Sequence, residues 1–223
     1  MKREPLGVPF WSPEEIGASI AGTLAHLARN DVLAYPTETV YGFGGAIDAM
    51  SVDRLIALKK RPEGKPFLLL ISGSEMIGRL GLQLSNAATL LATRFWPGPL
   101  TLVLRGGERR VPARLRGPEG GIAVRWTSHP GLQRLIAAMG DPLTSTSANR
   151  PGLPPAMNAA AVLTQWGSDV AQGRLRLLDG GALQVSPPST VVDCTTRRPR
   201  VIRPGAIPAD VLRESVGDLI GDR

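Results

Sequence analysis

Ser12-Pro13-Glu14-Glu15-Ile16 opens a stretch that continues through Ile20, Leu24 and Leu27 to Asn30, then becomes Val32-Leu33-Ala34-Tyr35-Pro36-Thr37-Glu38-Thr39. Serine followed by proline and, three residues on, by glutamate is an N-cap, an N1 proline and a capping-box partner, and the apolar residues behind it recur at helical spacing. This predicts an amphipathic helix over 12–30. The four apolar residues Val32 to Tyr35, broken by Pro36, predict a buried strand that ends in a loop at Thr37-Glu38-Thr39. Helix, strand and polar loop in succession set the pattern that the rest of the chain repeats.

A second helix is predicted from Ser51 to Lys60, stopped by Pro62, and the next buried strand at Phe67 to Ile71. A helix near Leu84 to Phe95 leads through a Trp96-Pro97-Gly98-Pro99 turn to a strand at Leu100 to Leu104. Residues 105–120 carry Arg, Gly and Pro without apolar periodicity and read as a long surface loop. Ile122 to Val124 is a strand, His129 to Met139 a helix with His129 packing at its start, and Pro142 to Thr144 a strand leading into Ser145-Thr146-Ser147-Ala148-Asn149. A helix over Ala159 to Trp166, strands at Leu175 to Leu178, Thr190 to Asp193 and Val201-Ile202, and a helix from Pro208 to Val216 complete the reading. Helices interleaved with short buried strands make an α/β protein with a mixed, twisted, open sheet flanked by helices. Ligands in such sheets gather where strand-end loops converge.

The chain has 223 residues, 43% hydrophobic and 20% charged, which excludes disorder as the main state. That length fits one domain over 1–223, with a core from about 13 to 216. No apolar run approaches the roughly 18 residues of a membrane span, and Met1-Lys2-Arg3-Glu4-Pro5 starts no secretory h-region, so the expected location is the cytoplasm. Lone Cys194, with only His26 and His129 beside it, gives no zinc-ligand spacing. The net charge is +7, and 22 of the 26 cations are Arg. Residues 1–50 hold three cations against six acids, so the excess lies later, in segments such as 105–125 and 197–203. Arginine suits bidentate phosphate or carboxylate recognition, and genome composition explains such a bias equally well.

The usual catalytic fingerprints are missing. Gly42-Phe43-Gly44-Gly45 lacks the further glycine of a dinucleotide site, with Ile47 in its place, and reads as a tight turn. Neither a Walker loop nor a G-x-S-x-G elbow is present, and Ser147 has only His26 and His129 as candidate bases. What remains is a set of hydroxyls and cations on separate segments: Thr37, Thr39, Lys59, Arg61, Lys65, Arg125, Ser145, Ser147, Asn149, Ser189, Thr190 and Arg203. Fixed cations with hydroxyl and amide groups can hold a triphosphate and a small carboxylate while offering little acid–base chemistry. Phosphoryl or nucleotidyl transfer requires mainly that.

Seven blocks, in order, resemble the YrdC/TsaC family of L-threonylcarbamoyladenylate synthases. They are Tyr35 to Gly42; Leu58-Lys59-Lys60-Arg61-Pro62 with Lys65-Pro66; Phe95 to Thr101; Ala123-Val124-Arg125; Ser145 to Asn149; Ser189 to Asp193; and Ile202 to Gly205. The resemblance implies a YrdC-like open sheet with a large basic cavity. It also implies a nucleotidyltransferase that joins L-threonine, bicarbonate and ATP, with Mg2+ accompanying the ATP, into threonylcarbamoyl-AMP and pyrophosphate. The product would serve threonylcarbamoyladenosine modification at tRNA position 37, with downstream threonylcarbamoyl transferase proteins and tRNA or double-stranded RNA as partners.

Carried over by motif, Lys59, Arg61, Ser147 and Asn149 are the expected catalytic and ATP-binding residues, and Lys65 and Arg203 add ATP contacts. Thr37, Arg125, Ser145 and Ser189 are expected to hold threonine, with no metal ligand set assigned in the protein. Departures from the family pattern stand at Arg150-Pro151, Pro188 and Leu70. The chain ends soon after Arg203, which matches the short form of the family. The alternatives are a double-stranded RNA-binding or tRNA-binding protein and a YciO-like protein without synthase activity. The resemblance separates the last by Lys59-x-Arg61 and Ser147-x-Asn149, which that branch lacks.

Overall fold

The computed structural model describes residues 6–61 and 65–217. In chain order its elements are β1 (Val8–Pro9), α1 (Pro13–Leu27), β2 (Val32–Tyr35), β3 (Gly42–Gly44), α2 (Ala49–Lys59), β4 (Leu68–Ile71), α3 (Glu75–Arg79), β5 (Leu82–Gln83), α4 (Asn86–Phe95), β6 (Leu100–Gly106), β7 (Ile122–Trp126), α5 (Pro130–Met139), β8 (Leu143–Ser147), α6 (Ala159–Ala171), β9 (Leu175–Asp179), β10 (Thr190–Asp193), β11 (Arg200–Arg203) and α7 (Ala209–Val216).

The capping box at α1 forms as the sequence predicts: Glu15 N donates to Ser12 Oγ at 3.2 Å, and Ser12 N donates back to Glu15 Oε2 at 3.0 Å. The helix is rotated from the expected face, because Ser19, Thr23 and His26 are buried while Ile20 and Leu24 are half-buried. Those polar groups are satisfied locally, through Ser19 Oγ to Ile16 O, Thr23 Oγ1 to Ser19 O and His26 Nε2 with Val32 O. Helix α2 starts two residues before the expected Ser51, since Asp48 caps Met50 N and Ser51 N. It ends because Lys60 turns left-handed at φ 48°, ahead of Pro62.

The strands form one mixed sheet in the order β1-β9-β2-β3-β8-β4-β7-β6-β10-β11, with β5 paired to β6. Two expectations need correction. Gly42-Phe43-Gly44 is a strand and no tight turn, lying antiparallel between β2 and β8. A Cβ on Gly44 would stand 1.7 Å from Thr144 O, and one on Gly42 2.9 Å from the Tyr35 ring, so glycine here marks close backbone approach. The segment 105–120 is also more than a surface loop: β6 runs to Gly106, Ala113–Leu115 makes a 3-10 turn, and Val111 and Leu115 are buried.

Register and burial together identify an open face. Ser145 pairs with Leu68, Leu68 with Ala123, Ala123 with Val103, and Val103 with Asp193. Leu68, Ala123 and Val103 are half-buried, whereas Leu69, Val124, Leu102 and Leu104 beside them in sequence are fully buried. Side chains alternate across a sheet, so one face carries the packed core and the other is uncovered along this row. Ser145, Ser147, Arg125 and Thr101 share the parity of the uncovered row. So does Arg203, through its pairing with Val191 and that of Val191 with Thr101.

Candidate active site

At the end of the open face where β8 finishes, Lys59 reaches over from the last turn of α2 and is only 7% exposed. Its ammonium donates to Ser147 O at 2.6 Å, Asn149 O at 2.5 Å and Asn149 Oδ1 at 2.9 Å, so three acceptors meet three protons. Ser147 Oγ donates to the same Asn149 Oδ1 at 2.6 Å, and Asn149 Nδ2 donates to Leu153 O at 2.7 Å. Arg61 lies alongside, donating to Thr146 Oγ1 at 3.0 Å, Pro66 O at 2.7 Å and Lys65 O at 3.2 Å, its guanidinium 4.5 Å from the Phe67 ring centre. Burial, reinforced by Arg61, pushes Lys59 down to about 8. Lys65 contributes its carbonyl here, and its side chain is exposed.

A second group occupies the opposite end. Arg125 lies inside β7, one residue beyond where the sequence ended that strand, and is 4% exposed. Its Nε faces Glu38 Oε1 at 3.5 Å, and Glu38 Oε2 accepts from Thr127 Oγ1 at 2.7 Å. Ser189 and Thr101 share a hydroxyl bond of 2.8 Å, and Arg203 donates to Ser189 O at 2.8 Å and to Ser189 Oγ at 3.0 Å. Burial, with Arg125 nearby, holds Arg203 below its ordinary range. Thr37 spends its hydroxyl closing its own loop, accepting from Thr39 N and Val40 N and donating to Val40 O. Ser145 Oγ stands beside Tyr35 and the place where Gly42 lacks a Cβ.

The structure therefore brings Lys59, Ser147 and Asn149 into one bonded cluster, with Arg61 alongside it on Thr146. It sets Arg125, Ser189 and Arg203 together at the other end, with Ser145 between them on β8. Ser145 and Ser147 belong to β8 itself, which the sequence pattern ended at Thr144. Ser147 and Arg125 each lie two residues from the Ser145–Leu68–Ala123 row, in opposite directions, which separates them by about 13 Å along the strands and about 10 Å across them. Sequence reasoning gave no role to Glu38, Thr101, Thr127 or Thr146. Strand alternation from Val103 would have placed Thr101 on the open face, but nothing in the sequence announced which carboxylate meets Arg125. His129 caps α5 through Nδ1, accepting from Leu132 N. Ser147 has no histidine in its hydrogen-bond network among the described residues.

The departures have visible settings. Arg150 donates to Gln165 O at 2.8 Å and lies 5.2 Å from the Trp166 ring, so α6 fixes the chain beyond Asn149. Leu70 pairs with Arg125 in register and is fully buried, and Pro188 accepts from Ala206 N at 2.8 Å.

Residues 25–205 match the family model Sua5/YciO/YrdC, described as telomere recombination. A threonylcarbamoyl-AMP synthase of Chromohalobacter salexigens is 40% identical over 183 residues, which cover 81% of this chain and 95% of that protein. A threonylcarbamoyl-AMP synthase of Pyrococcus abyssi is 35% identical over 86% of this chain, and the match spans 56% of its own length. Among solved structures, P. abyssi Sua5 complexed with L-threonine aligns with a TM-score of 0.85 at 30% identity, covering 96% of this chain and 62% of that one. E. coli YciO aligns at 0.76 with 25% identity, covering 92% and 97%.

Proposed function

The chain belongs to the Sua5/YciO/YrdC family, and from that premise we propose that it is an L-threonylcarbamoyladenylate synthase acting as one domain. The observation that carries this reading is the convergence of Lys59, Ser147 and Asn149 at the end of β8, with Arg61 alongside on Thr146, in a sheet whose open face also bears Arg125 and Arg203. The bound L-threonine of the Pyrococcus relative supports the amino acid as substrate. Retention of both Lys59-x-Arg61 and Ser147-x-Asn149 favours the synthase over a YciO-like role.

Threonine ammonium and bicarbonate give a carbamate, water and a proton. A carbamate oxygen then attacks the α-phosphorus of ATP, forming the mixed anhydride as the bond to the β-phosphate breaks and pyrophosphate leaves. Charge accumulates on phosphate oxygens throughout, and preorganised cations in a partly dry site stabilise it without reorganising. Lys59 and Arg61 take the β- and γ-phosphate end, with Ser147 and Asn149 shaping it and Lys65 at its margin. Arg125 forks to the threonine carboxylate, helped by Ser145, Ser189 and the Thr37 loop. Arg203, beside both Ser189 and Arg125, adds the ATP contact that lies nearest the threonine end. Mg2+ enters on the ATP phosphates. The adenylate then passes to threonylcarbamoyl transfer onto tRNA.

The test is pyrophosphate release by purified protein supplied with ATP and Mg2+. Release that requires both L-threonine and bicarbonate is the expected result. Release that ignores either co-substrate, or no release from folded protein, contradicts the reading.

A further inference from the structure

Arg125 can grip a carboxylate only if its guanidinium is held in one plane, and the residues around it show how that is done. Arg125 Nε and Glu38 Oε1 are both buried, both lack a hydrogen-bond partner, and stand 3.5 Å apart. Glu38 Oε2 is fixed by the Thr127 hydroxyl at 2.7 Å. Thr127 is fixed in turn: its hydroxyl accepts from His129 N at 3.2 Å and its carbonyl accepts from Gln133 Nε2 at 2.8 Å. The first turns of α5 thus anchor a carboxylate against the inner edge of Arg125. The positive N-terminal end of that helix favours the negative charge there.

We propose that Glu38 is a positioning residue for amino-acid recognition: anchored through Thr127, it clamps the Nε edge of Arg125 and turns the terminal nitrogens toward the open face. This rests on the synthase reading and adds to it the part that makes Arg125 selective for a free α-carboxylate. Glu38 also offsets the repulsion that buried Arg125 feels from Arg203, whose guanidinium stands nearby at the same end of the sheet. Removing one member of a buried charged pair leaves the other uncompensated, so the loss falls on the ligand that Arg125 holds.

Calorimetric titration of L-threonine and of L-threoninamide, which lacks the carboxylate charge, tests this directly and needs no turnover. The wild-type protein should prefer L-threonine clearly. Glu38→Gln, nearly the same size without the charge, should weaken L-threonine about tenfold or more and collapse the preference over the amide. Its ATP affinity should stay within about twofold, and threonine KM should rise far more than kcat falls. A folded Glu38→Gln protein that keeps both the affinity and the preference overturns the proposal. If that variant does not fold, Thr127→Val keeps both charges and removes the anchor. A smaller loss of the same kind is then expected, and unchanged L-threonine affinity overturns the proposal. Wild-type protein that binds and discriminates threonine yet releases no pyrophosphate sinks the synthase reading while supporting the clamp. Wild-type protein that binds no threonine overturns both.

Discussion

The three protons of the Lys59 ammonium are all engaged by the Ser147 to Asn149 segment, so in the proposed synthase this residue would both shape the phosphate end and supply its charge. Truncating it removes a preorganised donor and leaves buried acceptors unpaired. Lys59→Ala and Arg61→Ala should each lower kcat/KM for ATP by about 2–4 kcal/mol of transition-state stabilisation, read from steady-state pyrophosphate release. Wild-type rates in either variant would remove that residue from the assignment. Lys59 also predicts a pH limb. A lysine is charged below its pKa, and burial with Arg61 nearby brings this one to about 8, so the charged form is lost as pH rises through about 8. The kcat/KM for ATP, which reports the free enzyme, should fall on the alkaline side of that value, and Lys59→Arg should remove the fall. An alkaline limb that persists unchanged in Lys59→Arg belongs to another group.

Strand β3 is the element on which the site's geometry depends, because it joins β2 to β8 and lets Tyr35 and Ser145 approach each other. Gly44→Ala should cost about 3 kcal/mol or more in denaturant unfolding, since the new methyl meets the Thr144 carbonyl, a backbone atom with no side-chain freedom to yield. A loss below about 1 kcal/mol would show that the strands separate easily. The same strand explains the limits of sequence reading. Val32 to Tyr35 and Leu100 to Leu104 declare themselves as apolar runs and α1 by its cap. Three residues of Gly-Phe-Gly have neither period nor propensity, and only a neighbour's carbonyl makes them a strand. The motifs mark Ser145, Ser147, Arg125 and Arg203 as candidate site residues, although the apolar patterning ends their strands too early. Register partners held them in the sheet after local apolar patterning had stopped. Glu38 was visible within its motif, but its role depends on Thr127, 89 residues away in the chain.

Across the whole molecule, the core packs against one face of the central strands and a row of half-buried residues runs along the other, with cations at both ends of it. That division matches two substrates with negative groups at their far ends, a triphosphate and an amino acid, whose reacting atoms must meet in the middle. The net charge of +7 favours such anionic ligands, but the charge alone would serve a nucleic acid equally. Binding of RNA through arginines would weaken steeply with salt and would be indifferent to threonine. The decisive measurement is mass spectrometry of the nucleotide products formed from ATP, Mg2+, L-threonine and isotopically labelled bicarbonate. A synthase gives an adenylate carrying both the threonine mass and the bicarbonate label, formed in step with pyrophosphate and lost when threonine is omitted. Folded, ATP-binding protein that yields no labelled adenylate, or that yields AMP or ADP alone, contradicts the synthase reading.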